Sequence, residues 1–138
     1  MTNEWCGERL NWDDSCVELP GALQAIVGKT VSKASMREGV LVLALSGGGA
    51  WMLVPEGECC STSYWQESEF EGLENLVDSP VLRVVNRFEC VEKDEGDYQE
   101  TKVYALELVT AKGSAVFEMR NESNGYYGGT YSAEWAAL

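Results

Sequence analysis

The feature that most restricts the fold is a pair of alternating runs, KVYALELVT (Lys102 to Thr110) and SAVFEMR (Ser114 to Arg120), flanking Ala111-Lys112-Gly113. Tyr104, Leu106 and Leu108 share one side of the first run, and Ala115, Phe117 and Met119 share one side of the second. Side chains on a strand alternate between faces, so a period of two predicts a hairpin with one buried face. A second hairpin is expected where VLVLAL (Val40 to Leu45) and AWMLV (Ala50 to Val54) flank Ser46-Gly47-Gly48-Gly49. Glycine there supplies the positive φ that tight turns use. TVSKASM, just upstream, reads as a first strand with Val31, Lys33 and Ser35 on one side. VLRVVNRFECVEK is long for a single strand and is expected to carry a bulge. A last strand is expected from about Tyr126 to Trp135.

Helical signals are few. PGALQAIVGKT offers one or two turns from Pro20, with Leu23, Ile26 and Val27 on one face and Gly28 as the stop. In SEFEGLENLVDSP, Ser68 and Glu71 match a capping box, and Phe70, Leu73, Leu76 and Val77 fall at helical spacing. The fold class expected is α+β: a mostly antiparallel, curved sheet of six to seven strands, sandwich- or barrel-like, with one or two short helices. Residues 1–19 read as an irregular N-terminal arm, and residues 20–138 as a single β-rich domain.

Charge excludes several functions. A net charge of −13 disfavours direct binding to nucleic acid and to anionic membrane surfaces, both of which need cationic groups. It attracts basic partners. No apolar run reaches membrane-spanning length, and the N-terminus lacks a basic start followed by an apolar stretch, so a cytoplasmic protein is expected. In that compartment the five cysteines (Cys6, Cys16, Cys59, Cys60 and Cys90) read as reduced thiols. The chain has no histidine, which removes imidazole acid–base catalysis and the Ser-His-Asp triad. Gly28-Lys29-Thr30 lacks the first glycine of a P-loop, because position 23 is Leu. No enzyme activity, metal or cofactor is expected.

Two regions remain as candidates. From Glu56 to Asp78 the chain carries Glu56, Glu58, Glu67, Glu69, Glu71, Glu74 and Asp78 and no Lys or Arg. This is either a solvated face or an acidic surface that competes for a basic groove. The second region, RNESNGYYGG, places Arg120, Asn121, Glu122, Ser123 and Asn124 next to Tyr126 and Tyr127. One reading is a hairpin loop around the turn dipeptide Asn124-Gly125. The other is a small polar binding site beside aromatic rings.

VGKTV, the doublet Cys59-Cys60, LENLVDSPVL, TAKGSAVFEM and ESNGYY together resemble a family of small phage and prophage proteins known as a domain of unknown function. The resemblance covers roughly residues Ile26 to Glu134. Members usually flank the cysteine doublet with acidic residues, whereas this chain has Glu58 before it and Ser61 after it. The resemblance implies a compact β-rich fold in a phage or mobile-element setting. In that setting the expectation is a non-enzymatic acidic binding protein, in the host cytoplasm, that inhibits or sequesters a host defence component. Its partner would be a host protein with a basic surface or a small nucleotide-like ligand. The alternative is a minor virion-associated β domain, with copies pairing through edge strands.

Overall fold

The computed structural model describes residues 23–57, 61–93, 100–123 and 129–137. The N-terminal arm, the cysteine doublet and Asn124, Tyr126 and Tyr127 lie outside the described residues. Eight strands are present among the described ones: β1 Val31–Arg37, β2 Val40–Leu45, β3 Ala50–Gly57, β4 Thr62–Trp65, β5 Arg83–Lys93, β6 Glu100–Thr110, β7 Gly113–Ser123 and β8 Gly129–Ala136. They form two four-stranded sheets, ordered β1-β2-β3-β8 and β4-β7-β6-β5. Every pairing is antiparallel.

Both anticipated hairpins form. Leu106 faces Phe117, Leu108 faces Ala115, and Tyr104 faces Met119 across β6 and β7. Leu41, Leu43 and Leu45 supply the buried side of β2. With Leu53, Phe117 and Met119 they belong to one core cluster that draws on both sheets. The long strand β5 carries its bulge between Phe88 and Cys90.

The structure is mostly β rather than α+β, its sheets do not close into a barrel, and it has one strand more than the upper expectation. The added strand is β4, whose four residues TSYW are too short to show a period. The anticipated Ser68 helix is replaced by two 3-10 turns, Glu67–Glu69 and Leu73–Leu76. Between them Glu71 bridges Val116, and Gly72 takes a left-handed conformation at φ 72°. The backbone of Glu71 therefore serves the edge of β7, and a helix through it would lose that bond. Leu23–Ile26 is likewise a 3-10 turn. In β1 a register shift between Val31 and Lys33 separates Val31 from the side it was expected to share with Lys33 and Ser35: Val31 is in the core, and Ala34 and Met36 pack against it.

The chain crosses between sheets twice, from β3 to β4 and from β7 to β8. Gly57 pairs with Gly129, and Thr62 pairs with Glu122, so both crossings lie at one end of the sandwich. The β5–β6 connection lies at that end too, because Lys93 pairs with Glu100 and Glu100 with Ser123.

Candidate functional site: the outer face of the β4-β7-β6-β5 sheet

Strand alternation divides the predicted site. On β7, Ala115, Phe117, Met119, Asn121 and Ser123 are buried, which leaves Ser114, Val116, Glu118, Arg120 and Glu122 on the outer face. Register then lines up rows across the sheet. Cys90, Val103, Arg120 and Tyr64 form one, and Arg87, Ala105 and Glu118 form the next.

Arg120 sits at the centre of this face. Its Nε donates to Glu118 at 2.5 Å, and its Nη1 lies 3.6 Å from Glu92 on β5. To reach Glu92 the side chain spans β6, over Val103, and an arginine stem covers apolar surface well. Burial acts to lower the Arg120 pKa, but the bond and charge of Glu118 outweigh it, and the net direction is upward. Arg87 repeats the pattern one row along, donating to Glu89 at 2.7 Å and to Glu107 at 2.5 Å. Both guanidinium groups are thus held by carboxylates of the same face.

The carboxylates respond in opposite directions. Burial is the largest influence on both Glu107 and Glu118 and acts to raise both. For Glu107, the Ser114 hydrogen bond and the Arg87 charge overcome burial, and its acidity is strengthened. For Glu118, burial prevails over Arg120, and its pKa stays raised. Beside them the Tyr64 hydroxyl donates to Glu122 at 2.8 Å. Burial and that bond push the phenol up to about 12.

The inner half of the predicted site is different. Asn121 is 0% exposed and donates through Nδ2 to Ser63 Oγ at 2.9 Å, while its Oδ1 has no partner. Ser123 is buried on the same side. Tyr131, its ring 5.1 Å from that of Trp65, also has an unpartnered buried hydroxyl, which burial shifts strongly upward in pKa. Arg120 and Glu122 therefore belong to a surface, and Asn121 and Ser123 to the interior. The sequence cluster is not one site.

The acidic stretch is divided too. Glu71 pairs with outward-facing Val116, and Glu69 lies close enough to raise the Glu118 pKa. Both thus extend the outer face. Glu67, Glu74 and Asp78 are exposed on the flanking turns. Glu56 is exposed on β3, next to inward Leu53 and Pro55 in alternation, and stands on the outer side of the other sheet. Glu58 lies outside the described residues. Cys90 is disulfide-bonded, which corrects the expectation of five reduced thiols; it is the single cysteine among the described residues.

The residues that sequence reasoning missed are Glu89, Glu92, Glu107 and Glu118, together with Arg87. The signal for two of them was in the alternation that located the hairpin, since Glu118 shares parity with Arg120 and Glu122 on β7 and Glu107 lies opposite to buried Leu106 and Leu108 on β6. Among the described residues no cluster of His, Cys, Asp and Glu suited to a metal is present, and no helix is long and apolar enough to cross a membrane.

A family model for a domain of unknown function, DUF7448, matches residues 24–133. The chain belongs to this family. The match begins inside the first 3-10 turn and ends within β8, so the DUF7448 domain comprises both sheets and the whole acidic face. Neither the curated proteins nor the solved structures contain a match to the chain. Within this DUF7448 domain the outer face gathers Glu69, Glu71, Glu89, Glu92, Glu107, Glu118 and Glu122 against Arg83, Arg87 and Arg120. Such a face can meet cations. It offers an anionic ligand no uncommitted guanidinium at Arg87 or Arg120.

Proposed function

We propose that this DUF7448 protein is a non-enzymatic binding protein whose acidic β4-β7-β6-β5 face engages a basic surface on a partner protein. The observation that carries the reading is the commitment of Arg87 and Arg120 to carboxylates of their own face. The remaining carboxylates, chiefly exposed Glu69, Glu71 and Glu122, leave that face with an excess of negative charge. Complementary charge of this kind speeds and orients association. In the phage setting that the sequence resemblance implies, the partner is a host protein, and occupying its basic groove inhibits or sequesters it.

The experiment is affinity capture from host lysate with the intact protein and with the triple variant Glu69→Gln/Glu71→Gln/Glu122→Gln. The partner is then purified and titrated. Capture of one basic protein by the intact chain alone, with affinity falling as salt rises, supports the reading. Equal capture by both overturns it. A second reading, a virion-associated β domain, is favoured by one observation: among the described residues β8 is an edge strand, a place where another copy can pair.

A further inference from the structure

The far end of the β1-β2-β3-β8 sheet holds a hollow unconnected with the acidic face. Trp51 and Trp135 are directly paired across β3 and β8, their rings 5.4 Å apart and tilted by 56°. With Ala25, Lys29 and Leu45 they line a cavity of about 370 Å³. A second hollow of about 290 Å³ abuts it, sharing Lys29, Leu45 and Trp135 and adding Thr30, Gly47 and Gly48. The first is walled by apolar rings. The second brings a hydroxyl, a cation and a rim without side chains.

Three observations point to an occupant. Trp135 is 48% exposed, and its indole lies directly against the Gly49 backbone, where an added Cβ would stand 2.3 Å from the ring. A large aromatic seated on backbone on one side and half in water is a surface that a stacking ligand covers. Next, the backbone under Lys29 is anchored. Its N–H donates to the Ile26 carbonyl at 3.0 Å, and its carbonyl accepts from Val81 N–H at 2.8 Å. Thr30 is tied to the glycine loop, its carbonyl accepting from Ser46 N–H at 2.9 Å. Finally, Lys29 makes no ion pair among the described residues, in a chain whose net charge is −13. An ammonium with no carboxylate partner among the described residues, beside indole rings, selects an anion attached to something flat.

We propose that this hollow binds a flat aromatic compound carrying an anionic group, the ring lying against Trp51 and Trp135 and the anion beside Lys29 and Thr30. The combined space suits a ligand of one or two rings. This site is independent of the acidic face, so either reading can fail without the other.

The test uses two dyes of similar shape on the full chain: 1-anilinonaphthalene-8-sulfonate, which carries a sulfonate, and uncharged N-phenyl-1-naphthylamine. The expected result is 1:1 binding of both, with the indole N–H resonances of Trp51 and Trp135 shifting and that of Trp65 unmoved. Lys29→Glu weakens the sulfonate dye by about tenfold or more and leaves the neutral dye within about twofold, as expected for loss of one close charge pair. Ala25→Trp, an exposed position on the rim, blocks both dyes without lowering the melting temperature. Absence of binding at about 1 mM dye, far weaker than a formed pocket gives, overturns the proposal. So does binding unchanged in both variants, or equal weakening of the two dyes by Lys29→Glu.

Discussion

Arg120 and Asn121 are consecutive in the chain and stand on opposite faces of one sheet. Arg120 lies across Val103 toward Glu92, while Asn121 is enclosed in the core with its amide nitrogen on Ser63. The two residues therefore answer to different physics. Removing Ser63 Oγ leaves the Asn121 amide wholly unpaired, and Ser63→Ala should cost about 1–3 kcal/mol in urea unfolding. Ser63→Ala/Asn121→Val recovers most of that loss, because no buried amide then remains. Arg120→Ala, on a partly solvated face, costs about 1 kcal/mol or less. A double variant less stable than Ser63→Ala contradicts this assignment.

Gly72 separates two costs that glycine substitutions often mix. Its φ is 72°, and a Cβ there would lie 2.1 Å from the Ser114 carbonyl oxygen. Gly39 has a similar φ of 83° with open space around it. Denaturation should show Gly39→Ala losing about 1 kcal/mol and Gly72→Ala about 2–4 kcal/mol, the difference being backbone displacement. Equal losses would mean that the strand-like contact of Glu71 and Gly72 with β7 is not formed.

The Tyr64 phenol titrates at about 12 in the folded protein, against about 10 for a free phenol. Between those values the unfolded chain has released this proton and the folded chain retains it. The stability attached to Tyr64 is therefore complete below about pH 10 and is lost as pH rises toward 12. Relative to Tyr64→Phe, the intact protein should lose its advantage across that window. A stability difference that stays constant from pH 9 to pH 12 contradicts the pairing with Glu122.

With Cys90 in a disulfide, at most three of the five cysteines, five minus two, can react as free thiols in denaturant without reductant. Cys90→Ser should cost about 2–5 kcal/mol if the bond is intact. Five reactive thiols per chain, counted by a chromogenic disulfide reagent, would show it absent.

The hairpins were legible because their burial follows local alternation and their turns carry glycine. The β5 bulge was legible from length alone. The segment after Trp65 was not. Phe70, Leu73, Leu76 and Val77 sit at helical spacing, but a nonlocal bond from Glu71 to Val116 decides the backbone, and Leu73 and Val77 end exposed. For the site, proximity in sequence misled, since Arg120 to Ser123 alternate across a sheet. The acidic face draws Glu89 and Glu92 from a strand two positions away, and only the β5-β6-β7 register brings them to Arg120.

If the protein binds a basic partner, the acidic outer face of the β4-β7-β6-β5 sheet is where contact is made. Amide chemical-shift mapping with a short Lys/Arg-rich peptide at low and at physiological salt tests it most directly. Shifts should concentrate on Glu69, Glu71, Glu92, Glu118, Arg120 and Glu122, weaken with salt and be lost in Glu69→Gln/Glu71→Gln/Glu122→Gln. Shifts centred on Glu56 and the opposite sheet, or undiminished in that variant, would contradict it.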